Sequence, residues 1–244
     1  MDIRRLGTIL SLWAHPDDES YLAAGLMATA RDQGQRVVCV SATAGERGTA
    51  DTTTWPPERL GHRRRQEAAA AMAILGVAEH RVLGLPDGAL EQYEDEGRLA
   101  VAGLFDEVDP DTVLTFGADG MTFHPDHVAV HRWVTEAWHA RERRARLLYA
   151  TWSAAHLAEF GAMYEAWNVY MSDERPAGTE AGDMALHLQL DGVGLDRKLA
   201  ALRAHATQTD ELIAAIGPDT FLRLIAEEAF IGARSDRPAP LAVR

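Results

Sequence analysis

Two short clusters in this chain carry side chains that could do chemistry together. The first is Ala14-His15-Pro16-Asp17-Asp18-Glu19 and the second is His124-Pro125-Asp126-His127. Imidazole and carboxylate groups are ligands for zinc, and a catalytic zinc site uses three protein ligands plus a water. His15 and Asp18 are three residues apart across a proline that suits a first helical turn, so both side chains can face one point. Asp17 and Asp18 are neighbours, and on a helical turn they point about 100° apart. That divides their work: one carboxylate binds metal and the other reaches the water that the metal activates. Acids at a helix start are also favoured by the macrodipole. In the second cluster one histidine can bind metal, and the other can stabilise an oxyanion or protonate a leaving group. Asp126 can orient an imidazole. An activated water, a general base and an acid or oxyanion stabiliser are the three parts that amide hydrolysis needs.

Such groups must be held by a frame, and the frame is legible as alternating strands and helices. Apolar or β-branched runs at 8–13, 36–43, 81–85, 111–116 and 147–152 read as strands, and 20–34, 57–76, 99–108 and 125–144 read as helices. This β–α alternation implies a mostly parallel sheet with helices on both faces, a Rossmann-like three-layer α/β sandwich. In such sheets the site lies beyond the carboxyl ends of the strands. Both clusters fall there, after the first and fourth strands, as do Gly45-Glu46-Arg47 and Pro86-Asp87-Gly88 after the second and third. Glu46 could touch a substrate or serve as a turn cap. From about Ser153 the pattern weakens into a less regular extension of one domain spanning 1–244. There 167–182 reads as loop, 187–190 as a short strand, 195–208 and 219–229 as helices, and the tail from Arg234 as loose.

These residues resemble the LmbE-like, or PIG-L, family of zinc-dependent de-N-acetylases. The resemblance runs from residue 8 to 208. It takes in Ala-His-Pro-Asp-Asp-Glu, Thr43-Ala44-Gly45-Glu46-Arg47-Gly48, Arg64-Arg65-Gln66-Glu67, Leu85-Pro86-Asp87-Gly88, His124-Pro125-Asp126-His127 and the segment Lys198 to Gln208. It implies His15, Asp18 and His127 as the ligands of one zinc ion, and Asp17 as the general base. It implies His124 as oxyanion stabiliser or acid with Asp126 as its partner, and Arg64 and Asp87 as contacts to sugar hydroxyls. Two positions depart from the pattern. Phe123 stands where the family often has glycine, which should narrow the pocket mouth or add a stacking surface. Thr122 stands where a mycothiol-type branch has tyrosine.

Composition limits the alternatives. The 244 residues hold 37 acidic and 24 basic side chains, a formal net charge of −13. A chain so acidic is unsuited to a nucleic-acid backbone or an anionic membrane surface. No apolar run reaches the length of a membrane span and no leader is visible, so the expected location is cytoplasmic. The single cysteine, Cys39, sits in an apolar run, which rules out an internal disulfide and a thiolate zinc cluster. Iron(II) fits the same His/Asp donors. The expectation is hydrolysis of an N-acyl, normally N-acetyl, amide on a small sugar-like substrate. An amidase on a thiol conjugate or a tailoring deacetylase is the alternative, with a non-catalytic carbohydrate-binding protein behind them. A phosphoesterase would want a second metal. His131, four residues after His127 on the same helical face, could be a ligand by spacing alone, but with His15 and Asp18 completing the set it is expected to support a ligand or pack. His205 and Gln208 suit structural roles or the site wall. Aromatic residues in the C-terminal half would suit self-association.

Overall fold

The computed structural model describes residues 2–233. The strands are β1 (Ile9–Trp13), β2 (Val37–Ser41), β3 (Glu79–Val82), β4 (Thr112–Phe116), β5 (Arg146–Ala150), β6 (Leu186–Gln189) and β7 (Glu227–Gly232). They form one sheet in the order β3-β2-β1-β4-β5-β7-β6. β1 to β5 are parallel, and β7 runs antiparallel to both β5 and β6. Every residue of β1, β2 and β4 is buried, the signature of strands covered on both faces.

The helices are α1 (Asp18–Leu22), α2 (Ala24–Asp32), α3 (Pro57–Leu75), α4 (Glu94–Val108), α5 (Pro125–Ala140), α6 (Ala154–Ala166), α7 (Gly192–Ala204), α8 (Ala206–Ile216) and α9 (Pro218–Ile225). α2, α3 and α7 pack together, and α4 packs on α5, which in turn lies against β1 and β4. A second, smaller apolar cluster joins α6, α7 and α9 around Phe160, Tyr164, Leu202 and Phe221. Chain order runs outward from β1 to β3 on one side and from β4 to β5 on the other. The gap between the β1 and β4 loops is therefore the topological switch point, where open α/β sheets bind ligands.

The Rossmann-like reading holds, and its differences lie mainly past Ser153. The expected helix 20–34 breaks at Ala23 into α1 and α2. The stretch read as less regular contains α6, started by Ser153, whose Oγ accepts from the His156 amide at 2.9 Å. The expected helix 195–208 breaks at His205 into α7 and α8. The expected helix 219–229 was wrong in its second half: α9 stops at Ile225 and 227–232 is a strand. Glu227-Glu228-Ala229 has helical propensity, but pairing on both sides with β5 and β6 overrides it. The tail from Arg234 lies outside the described residues. No helix among the described residues is long and apolar enough to cross a membrane.

Candidate active site

His15 follows the end of β1, Asp18 opens α1, and His127 sits in the first turn of α5 after β4. Their donor atoms converge. His15 Nδ1 lies 3.2 Å from His127 Nε2, His15 Nδ1 is 3.5 Å from Asp18 Oδ2, and His127 Nε2 is 3.5 Å from Asp18 Oδ1. Ligand atoms at ~2.0–2.2 Å from a tetrahedral ion stand about 3.3–3.6 Å apart, so the two nitrogens are spaced to share one divalent ion, with the Asp18 carboxylate reaching each of them through a different oxygen. The far nitrogens are already engaged. His127 Nδ1 donates to the Gly120 carbonyl at 2.8 Å, and His15 Nε2 faces Asp87 Oδ1 at 3.1 Å and Asp126 Oδ2 at 3.2 Å. These partners hold the ring protons outward and leave the facing nitrogens with lone pairs. Among the described residues, single donor atoms from three side chains all come within 4.8 Å of one another in two groupings, His15 with His124 and His127, and His15 with Asp87 and Asp126. The carboxylates of the latter are occupied by backbone amides, Arg47 at Asp87 and Gly88 and Leu90 at Asp126, which makes them supports rather than free ligands.

Asp17 stands beside the triad in a strained backbone conformation, φ 119°. Two buried residues hold it. Glu19 Oε2 accepts the Asp17 amide at 3.1 Å, and Arg64 Nη2 lies 3.1 Å from Asp17 Oδ2. Glu19 is itself fixed by His205, whose Nε2 is 3.2 Å from Oε1. Arg64 also donates to the Gly45 and Pro16 carbonyls. Gly45 has φ 62°, a left-handed conformation that favours glycine, and a Cβ there would also push the Arg64 guanidinium out of place. His124 is the N-cap of α5, and its Nδ1 accepts the Asp126 amide at 3.1 Å. In the neutral ring the proton is then on Nε2, a hydrogen-bond donor at the rim of the site.

Several residues sit where they were expected but touch different partners. The Asp126 carboxylate does not bond His124; it accepts from Gly88 and Leu90 and faces His15. Asp87, expected at sugar hydroxyls, faces His15 and accepts the Arg47 amide at 2.7 Å. Glu46 Oε1 caps the Asp87 amide at 2.9 Å. Arg64, also expected at the sugar, is turned inward to Asp17. His131 packs, with Nδ1 on the Phe116 carbonyl at 2.9 Å. Phe123 lines no part of the cavity beside Asp18 and His127, and its positive φ of 60° accounts for glycine suiting that position. Gln208 does line that cavity. Arg47 is exposed after β2, and among the described residues no hydrogen bond or ion pair engages its guanidinium. Its place in the Gly45-Glu46-Arg47 turn was the available signal.

The electrostatics suit a cation. Burial alone would lower His15, but hydrogen bonds to Asp126, Asp18 and Asp87 outweigh it and hold the ring well above its usual range. Burial would raise Asp18, yet the His127 and His15 rings bring it below its ordinary value. Burial lowers His127 to about 4, against the pull of Asp18. Burial pushes Asp17 up to about 6, with Arg64 opposing. Burial, followed by the nearby His15, lowers His124 and favours its neutral form.

Hydrolysis of an amide is the work for which these groups are placed, and the Rossmann-like sheet delivers them from two loops at its switch point. Fold and site together define a hydrolase of the deacetylase class. The chain belongs to the PIG-L family, whose model, described as GlcNAc-PI de-N-acetylase, matches residues 10–138. It is 32% identical over 240 residues to a 1D-myo-inositol 2-acetamido-2-deoxy-alpha-D-glucopyranoside deacetylase of Saccharomonospora viridis, covering 87% of each chain. A deacetylase of the same description from Acidothermus cellulolyticus is 34% identical, over 86% of this chain and 81% of its own. The fold is also that of N,N'-diacetylchitobiose deacetylase from Pyrococcus horikoshii, with a TM-score of 0.66 and 21% identity over 95% of this chain and 85% of that one.

Proposed function

We propose that the chain removes the N-acyl group of a small amino sugar or glycoside, using one zinc ion held by His15, Asp18 and His127. The observation that carries this reading is that His15 Nδ1 and His127 Nε2 stand 3.2 Å apart, each 3.5 Å from one oxygen of the Asp18 carboxylate, beside Asp17. Bound there, zinc would supply an acidified water and polarise the amide carbonyl. Asp17, fixed by Glu19 and Arg64, takes a proton from the attacking water. His124 presents its Nε2 proton to the oxyanion that develops on the carbonyl oxygen. When the C–N bond breaks, the proton held by Asp17 passes to the departing nitrogen. Water and amide thus become carboxylate and amine. Arg47, beside Glu46 and Asp87 on the loops after β2 and β3, supplies the free polar group for the sugar.

Asp17→Asn keeps the shape and removes the base. Its metal content by elemental analysis stays at the wild-type level, and acetate release from an N-acetylated amino-sugar panel falls by about 10²–10⁴. Wild-type turnover in this variant would remove Asp17 from the role. His127→Ala loses the metal; full occupancy would overturn the ligand set.

A further inference from the structure

A cavity of about 400 Å³ opens directly from the metal triad, with Asp18 and His127 in its wall. It runs away from the Glu46–Asp87 loops toward β5 and β7, along the seam between the main core and the smaller cluster of α6 and α9. Its walls are aromatic and aliphatic: Tyr21, Phe116, Trp152, Tyr164, Leu212 and Leu224. The walls are firm. Phe116 stacks on His127 at 4.1 Å, and Trp152 stacks on His156 at 4.7 Å.

The charged groups and the histidine at the β5–β7 end of this cavity are already paired within the protein. Glu227 accepts from Ser153 Oγ at 2.8 Å and pairs with His187 at 2.5 Å. Glu228 pairs with Lys198 at 2.9 Å, and His156 Nε2 with the Tyr164 hydroxyl at 2.7 Å. Sugar hydroxyls placed against the aromatic and aliphatic part of the wall would lose water and gain few partners, which costs free energy. An acetyl methyl group would leave most of the space empty, since a dry cavity of ~150 Å³ already admits a benzene ring.

We infer that this cavity is an acyl pocket, and that the preferred substrate carries an aliphatic acyl chain of about six to ten carbons in place of acetyl. The chain length follows from the volume: at ~30 Å³ for each water-sized group, 400 Å³ holds about a dozen non-hydrogen atoms. The acyl side is favoured over an apolar aglycone because the wall includes two of the three metal-site residues. Whatever enters is attached next to the carbonyl at the metal, whereas an aglycone is held off by the sugar ring. The inference rests on the amide-hydrolase reading and deepens it.

The test uses the zinc-loaded protein and glucosamine carrying N-acetyl, N-butanoyl, N-hexanoyl, N-octanoyl or N-decanoyl groups, with octyl N-acetylglucosaminide as the aglycone control. kcat/KM should rise with acyl length by on the order of tenfold or more by octanoyl, from apolar burial, and then level off. Leu224→Trp fills the cavity and should bring the octanoyl-to-acetyl ratio back down by a similar factor. Calorimetric titration adds a readout that needs no turnover: octanoate should bind more tightly than acetate, and the Leu224→Trp variant should lose the difference. Acetyl turnover with a flat or falling length series, and octanoate no tighter than acetate, overturns the pocket and leaves the hydrolase. A gain that follows the octyl aglycone overturns the acyl assignment. Octanoate binding with no amide hydrolysed anywhere in the series overturns the hydrolase reading and supports the pocket.

Discussion

At the scale of single residues, the site depends on which atom each side chain offers to which neighbour. The identities were legible: His15, Asp17, Asp18, His124 and His127 stand in two clusters at strand ends and come together in space. The partnerships were not legible, because they are fixed by loops distant in sequence. Asp126 was expected beside His124, two residues away, but the Gly88 and Leu90 amides draw its carboxylate toward His15. Arg64 and Asp87 were expected at the substrate, and the structure places them against Asp17 and His15. Glu19 drew no separate expectation, yet it is buried and holds the strained Asp17 backbone. Glu19→Ala should lower kcat by about 10–100-fold with KM little changed, the loss typical of a supporting partner. Steady-state kinetics and metal analysis check this; a loss of metal at unchanged kcat would refute the positioning role. Arg47→Ala should instead raise KM for a sugar substrate with kcat little changed.

At the scale of elements, the site is the meeting of two strand-to-helix junctions. The Gly117–His124 approach to α5 carries left-handed backbone at Gly120, Met121 and Phe123. Gly120 has φ 59°, and a Cβ there would lie 2.7 Å from the His127 Cβ. Gly120→Ala should therefore cost about 1–3 kcal/mol of stability through backbone strain and weaken metal binding by displacing His127. Denaturant titration and metal competition measure the two effects. The parallel core strands and long helices were legible because continuous apolar runs and a 3.6-residue period are local signals. β7 was not, because a strand whose first residues are Glu-Glu-Ala is specified by its neighbours β5 and β6 rather than by its own composition.

At the scale of the whole molecule, Glu228 ties the C-terminal strand to the N-terminal half. Its carboxylate accepts the Gly25 and Leu26 amides at the start of α2, at 2.7 and 2.8 Å, and pairs with the fully buried Lys198 of α7. Lys198→Met strands that carboxylate and should cost about 3–5 kcal/mol, read as a lower denaturation midpoint. The fold also has a built-in acid sensitivity. Burial holds His156 down to about 4, below its ordinary 6.5. Between those values the unfolded chain takes up a proton that the folded one refuses. Stability from this residue is therefore full above about pH 6.5 and declines as pH falls toward 4. Urea midpoints between pH 7.5 and 4.5 should drop less steeply in His156→Gln than in the wild type. The switch-point geometry also bears on assembly of the chain. His15 and His127 are 112 residues apart, so an ion bound between them closes a loop over nearly half the polypeptide. That clasp cannot form until β1 and β4 have docked. If the proposed zinc site forms, zinc added during refolding should bind after the burst of helix signal, at a rate that reports the arrival of β4 beside β1.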